Sequence, residues 1–345
     1  MKAARLYGKN DLRVEDVPVP EIGDDEMRVR VRAATVCGTD LRMYANGATG
    51  VDEGHPLTLC HEFAGTIDKV GKDVKGYEVG ERVSVAPNIG CGVCDACVSG
   101  GSHHCEELEA FGIHIDGAFA EFVKIPARAI VNGNVTPLPD GVSFEAGAAN
   151  EAFACVYNSF ERYGVNPGDV VLIIGAGAIG MMHAKLALMA GASKVLLNDL
   201  SEDRLRGCKA IDPRIIIVSE GLKEVVDRET NGRGADVVIT ACSVPAVQEA
   251  AFDYAGLNGR VNFFGGLPSG KDAKLDTNQI HYKQLQVSGT TRSSHEHYRK
   301  TLDFISKGLV DIDPLVTDRY SLEDVQKAFD SAAAQQGLKQ AVVFD

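Results

Sequence analysis

The sequence predicts an α/β protein with a β-rich first half and a doubly wound parallel sheet in its second half. Three observations predict it. Residues 170–174, Val-Val-Leu-Ile-Ile, form a continuous apolar run of the kind that makes a strand buried on both faces. The run passes directly into Gly175-Ala176-Gly177-Ala178-Ile179-Gly180, followed by a helical stretch at 181–189 that Gly191 ends. A second short strand at 194–198 has Asp199 at its tip. Beyond it, strand patterns at 215–218, 236–240, 260–264 and 285–288 alternate with helical patterns at 222–229, 246–255 and 295–307. Such alternation is the signature of parallel strands joined by crossover helices.

The glycine turn has a chemical meaning in that setting. Gly175 permits the tight turn out of the strand, Gly177 lets backbone approach a pyrophosphate, and Gly180 lets helix and strand pack closely. The N-terminus of the helix that follows presents free N–H donors and a partial positive charge to phosphates. Asp199, about twenty residues on, can accept hydrogen bonds from both ribose hydroxyls of an adenosine. A glycine pattern alone is weak evidence; strand before, helix after and an acid at the next strand's end make this a dinucleotide site. Asp199 favours NAD over NADP, because a 2′-phosphate would bring a second negative charge against it. Arg204, five residues later in what should be a helix, could neutralise a phosphate, but Leu200, Ser201, Glu202 and Asp203 come first and two of those are acidic.

In the first half, residues 27–33 alternate Arg28, Arg30 and Arg32 with Val29, Val31 and Ala33, as a half-buried strand does. Residues 82–86 and 118–125 read as further strands, with loops at 37–54 and 87–112. Residues 144–163 have helical spacing and bridge into the second region. Near the end, Ser321 and Asp324 have the spacing of a capping box for a last helix to about residue 335, and 339–344 reads as a final strand.

At 345 residues, two domains are expected. The formal charge of -13, from 48 acidic against 35 basic residues, argues against nucleic acid or an anionic membrane as partner. No signal-like apolar core and no run of membrane-spanning length occurs, so a cytoplasmic protein is expected. Nine cysteines in such a chain indicate metal ligands and free thiols rather than disulfides.

Four of them, Cys91, Cys94, Cys97 and Cys105, have the spacing C-x2-C-x2-C-x7-C, which suits a tetrahedral zinc site with no open position. Such a site stabilises a lobe, here about 88–106, rather than performing chemistry. An iron–sulfur cluster is the competing reading, but the bacterial C-x3-C-P continuation is missing. His103 and His104 are expected to be solvated loop residues. A second constellation comprises Cys37-Gly38-Thr39-Asp40, Cys60-His61-Glu62-Phe63-Ala64-Gly65 and Asn150-Glu151.

On these motifs, in this order along nearly the whole chain, the sequence resembles the zinc-dependent medium-chain dehydrogenases. It is most similar to their polyol branch, the sorbitol (iditol) type and its sugar-alcohol-phosphate relatives. The resemblance implies a GroES-like catalytic domain over 1–152, a Rossmann NAD-binding domain over 153–291, and a return to the catalytic domain over 292–345. It implies two zinc ions per chain, one in the cysteine knot and one catalytic. Cys37 and His61 would be ligands of the catalytic ion, with Glu62 or Glu151 completing the shell. Thr39 would pass the substrate hydroxyl's proton outward. Gly265, Gly266, Leu267, Thr290, Thr291 and Arg292 match positions that hold the nicotinamide end, and Arg292 is placed to bridge cofactor and a substrate hydroxyl or phosphate. The implied reaction moves hydride from a secondary alcohol of a polyol or polyol phosphate to NAD, in a homo-oligomer, a tetramer.

The chain departs from that branch at three places: Cys60 stands where glycine is usual, and Met43 and Ser293 stand where polyol-contacting tyrosines occur. A threonine or butanediol-type dehydrogenase is the rival within the family. Threonine enzymes share Cys-Gly-Thr-Asp but carry aspartate where Glu151 stands. A zinc-free quinone reductase would lack the four-cysteine knot, and a non-enzymatic NAD-binding sensor would not need the intact Cys37, His61 and Glu62.

Overall fold

The computed structural model describes residues 1–345. The chain divides into two compact units. One comprises Met1–Ala154, Arg292–Gly308 and Ile312–Asp345; the other comprises Cys155–Thr291 with Leu309–Asp311. The division falls inside the helix Phe144–Tyr163.

The second unit is built on six parallel strands. Their spatial order is Ile216–Val218, Lys194–Asn198, Val170–Ile174, Ala235–Thr240, Ala255–Phe263 and Gln286–Gly289. Chain order thus reverses beside Val170–Ile174, the switch point at which open α/β sheets bind ligands. All five residues of that strand are buried, as a strand covered by helices on both faces requires. Leu172, Leu196, Val238, Val261 and Phe252 make its core. Two sequence boundaries shift. The helix Pro245–Tyr254 stops one residue early, and the next strand begins at Ala255, well before 260.

In the first unit a mixed sheet runs in the order Val135–Pro137, Arg82–Val85, Phe63–Val70, Met27–Thr35, Lys339–Val343 and Val316–Tyr320. The strand Phe122–Ile125 also pairs with Met27–Thr35. Within Met27–Thr35, Val29, Val31 and Ala33 are buried and the intervening arginines are not, as the alternation predicts. The C-terminal strand is antiparallel to it, with Thr35 opposite Ala341, so the last residues of the chain lie directly behind Thr35 and Val36. The apolar core gathers Met27, Val31, Phe63, Val83, Phe111, Phe119 and Phe329.

Four expectations for this unit are corrected. Residues 37–54 are not all loop: Gly38–Asn46 is a helix, opened by Asp40, whose carboxylate accepts the Cys37 N–H at 2.9 Å. Of 118–125 only Phe122–Ile125 is strand. The span 87–112 contains a two-stranded pair, Asn88–Ile89 with Glu109–Ala110. The last helix is Val325–Ala333, and Ser321 and Asp324 do not form the capping box; only the Asp324 N–H bonds the Ser321 carbonyl, at 3.1 Å. The N-terminal hairpin of Lys2–Gly8 and Asp11–Asp16 was not anticipated.

Candidate metal centres and dinucleotide turn

Three potential ligands converge in the first unit. The Cys37 thiol, the His61 ring and the Glu62 carboxyl each bring one donor atom, and these atoms lie within 4.8 Å of one another. Glu151 stays outside that set, although it is buried and its charge acts on His61. Local structure explains the convergence. Asp40, fully buried, receives the Cys37 N–H on one oxygen and the Cys60 N–H on the other, at 2.9 and 3.2 Å. It thereby ties the helix start at Cys37 to the segment carrying His61. The same carboxylate lies 3.7 Å from His61 Nδ1, beyond hydrogen-bond distance, and that buried nitrogen has no hydrogen-bond partner. Burial raises the Asp40 carboxyl above the ordinary range, against the opposing effects of His61 and the two N–H donors.

The electrostatics suit a cation. Burial alone would lower the His61 pKa, yet the Cys37, Asp40 and Glu151 charges overcome it and hold His61 well above its usual value. Glu62 is fully buried, and its Oε1 has no hydrogen-bond partner. An orphaned buried carboxylate oxygen beside a thiol and an imidazole fits Zn²⁺, whose ligand sets are drawn from these types.

Cys60 explains part of the precision. Its φ is +83°, a conformation that costs a non-glycine residue about 1–3 kcal/mol. The surroundings enforce it. Ala118 N–H and Phe119 N–H bond the Cys60 and Leu59 carbonyls at 3.0 and 3.1 Å, and a Cβ on Gly117 would lie 2.0 Å from the Cys60 carbonyl oxygen. The buried thiol sits 3.3 Å from the Glu62 carbonyl. Cys60→Gly is therefore expected to change stability by less than about 1 kcal/mol, strain relief offsetting lost packing. Cys60→Val should lose about 2 kcal/mol or more, because a β-branched residue resists positive φ. Thermal unfolding of both variants checks this; equal losses would contradict it.

The second cluster is Cys91, Cys94, Cys97 and Cys105, again with all donor atoms within 4.8 Å. Two of the sulfur pairs stand 4.0 and 3.8 Å apart. A regular tetrahedron with bonds of about 2.3 Å has edges of about 3.8 Å, so the four thiols fit a closed zinc site. Arg128 and Asn132 fasten the lobe's base by donating to the Gly90 carbonyl at 2.6 and 2.7 Å. His104 is exposed as expected, but His103 is not solvated. It is 5% exposed, and burial, then the neighbouring His104, His297 and Arg292, push its pKa down to about 4. Arg292 donates to the His103 carbonyl at 3.2 Å.

In the second unit, the glycine turn, Asp199, the Gly265–Leu267 segment and Thr290–Thr291 all follow the carboxyl ends of parallel strands. A Cβ on Gly180 would lie 1.9 Å from the Gly175 carbonyl oxygen, so this turn closes only with glycine. At Gly177 the same position is open, with the Arg204 guanidinium the nearest neighbour at 3.9 Å. Asp199 accepts the Ala176 and Ser201 N–H groups at 2.7 and 2.9 Å, one on each oxygen. Those bonds fix the carboxylate beside the turn and leave lone pairs for hydroxyl donors.

Residues 23–140 match the family model for the alcohol dehydrogenase GroES-like domain, and residues 178–307 match that for zinc-binding dehydrogenase. The sorbitol dehydrogenase of Bacillus subtilis is 33% identical over 338 residues, 96% of this chain and 93% of that one. The chain belongs to the zinc-dependent medium-chain dehydrogenases. Zinc and a nicotinamide dinucleotide are accordingly its cofactors. L-threonine 3-dehydrogenase of Escherichia coli is 31% identical to this dehydrogenase over 355 residues, covering 100% of both chains. A solved structure from Sinorhizobium meliloti bound to NADP has a TM-score of 0.89 and 30% identity, covering 99% of each chain. No helix of this dehydrogenase is long and apolar enough to cross a membrane.

Proposed function

We propose that this dehydrogenase oxidises a secondary alcohol of a polyol or polyol phosphate to the ketone with NAD, using Cys37, His61 and Glu62 to hold the catalytic zinc and the four-cysteine knot to hold a structural one. The observation that carries the reading is the convergence of those three donors in a buried, electronegative site with a free Glu62 oxygen. A bound zinc ion supplies Lewis acidity toward the substrate oxygen, and a bound dinucleotide supplies the hydride acceptor.

The chain's own residues do the rest. Cys37, His61 and Glu62 contribute three ligands, the number that leaves a position for substrate. Asp40 fixes the backbone of Cys37 and of Cys60, the residue before His61. Thr39, at the first turn of the helix from Gly38, is half-buried, and its hydroxyl accepts from Arg42 at 2.9 Å. Its Oγ1 is a stopping point for the proton the alcohol gives up. Glu151, outside the donor set, adds negative charge that favours the bound cation.

The polyol assignment draws on the identity to sorbitol dehydrogenase and on the segments around Asp199 and Thr290–Arg292. The similarity to L-threonine 3-dehydrogenase makes threonine the second candidate. The preference for NAD draws on Asp199: a 2′-phosphate beside a carboxylate costs roughly 1 kcal/mol or more even when solvated, about a tenfold discrimination. Arg204 near Gly177 opposes this, but Glu202 and Asp203 precede it on the same helix. A homotetramer is the proposed assembly.

One assay tests the reading. Initial rates are measured on a panel of polyols, their phosphates, threonine and 2,3-butanediol, each with NAD⁺ and NADP⁺. The expected result is the highest kcat/KM on a polyol or its phosphate, about tenfold better with NAD⁺. Threonine as best substrate, or a preference for NADP⁺, overturns the corresponding part.

A further inference from the structure

The two oxygens of Glu62 differ: one has no hydrogen-bond partner and the other has two polar neighbours. Glu62 Oε2 accepts the Thr35 hydroxyl and lies 2.6 Å from the Lys339 ammonium. Both donors come from paired strands, Met27–Thr35 and Lys339–Val343, held in register with Thr35 opposite Ala341. Lys339 is itself anchored, donating to the Val36 carbonyl at 3.0 Å, while Gln340 accepts the Val36 N–H at 3.0 Å. Its side chain is only 8% exposed, and Glu62's is 0%. A lysine side chain thus stands against one carboxylate oxygen, while the other has no partner.

We propose that Lys339 is a positioning residue that competes with the metal for Glu62, confining the carboxylate to one ligating oxygen and weakening its hold on the ion. The inference rests on the zinc reading of the Cys37, His61 and Glu62 site. A carboxylate with both oxygens free can chelate a metal; one with an oxygen pinned by an ammonium and a hydroxyl ligates through the other alone. The ammonium also draws charge from the carboxylate, which makes Glu62 a softer restraint and keeps the remaining coordination position available to substrate. Thr35 holds the same oxygen through a hydrogen bond without supplying charge, so it restrains Glu62 in the same sense but more weakly than Lys339 does.

The test follows zinc leaving the intact, fully loaded protein. Release into excess colorimetric chelator is recorded for wild type, Lys339→Met and Thr35→Val; the phase absent in Cys37→Ser belongs to this site. Lys339→Met should slow that phase by roughly tenfold, the scale on which groups behind a ligand tune metal affinity. Thr35→Val should slow it less, and the knot's phase should not change. Cobalt-substituted Lys339→Met should absorb more weakly in the visible range, as a higher coordination number requires. Release that is unchanged or faster in both variants overturns the proposal; if Lys339→Met does not fold, the direction in Thr35→Val decides. Two zinc ions retained in Cys37→Ser would instead sink the underlying site assignment, whatever Lys339 does.

Discussion

Cys37→Ser is expected to lower kcat by about a thousandfold or more while the protein remains folded. Serine offers a protonated hydroxyl where zinc needs a thiolate, so the proposed three-ligand set would be reduced to His61 and Glu62. Losing Lewis-acid stabilisation worth several kcal/mol corresponds to about one decade in rate per 1.4 kcal/mol. The fold should survive, because the Cys37 backbone is held by Asp40 and the core lies in the flanking strands. Circular dichroism and thermal unfolding alongside the rate measurement check both halves. A variant that keeps wild-type kcat would remove Cys37 from the site.

Cys94→Ser should do the reverse, damaging the fold first. The lobe it serves buries little apolar surface: Val93 and Val98 are 82% and 69% exposed. Metal binding energy is then the main force that shapes the loop, and in small zinc sites that energy is folding energy. Backbone anchors at Gly90 hold the base but not the loop itself. The expected result is an apparent Tm lower by roughly 10 °C, from about 3 kcal/mol or more at 2–4 °C per kcal/mol. Protease cleavage should appear within residues 91–105. Unchanged Tm and protease resistance would show that the lobe stands without its metal.

What could be read from the sequence followed from local physics. Residues 170–174 announced a doubly covered strand because nothing polar interrupts them, and all five are buried. Cysteine spacing announced the cluster because four thiolates spaced C-x2-C-x2-C-x7-C can close a tetrahedron around zinc. The helix at Gly38–Asn46 escaped notice because cysteine is not an ordinary N-cap. The signal was present in Asp40, which closes the turn by accepting the Cys37 N–H. The burial of His103 could not be read because its cover, His297 and Arg292, arrives from a distant segment. Lys339 escaped for the same reason: it donates to a carbonyl 303 residues earlier in the chain, through a strand pairing that no local pattern specifies. Glu62 and Glu151 were equivalent on paper, and three-dimensional convergence separates them, with Glu62 inside the donor set and Glu151 outside it.

The central claim is that Cys37, His61 and Glu62 form a metal centre separate from the cysteine knot. Zinc content per chain, measured by plasma emission on purified wild type and Cys37→Ser, tests it most directly. The account predicts about two zinc ions per wild-type chain and about one in the variant, the knot alone remaining loaded. One zinc ion in both proteins, or two in both, would contradict it.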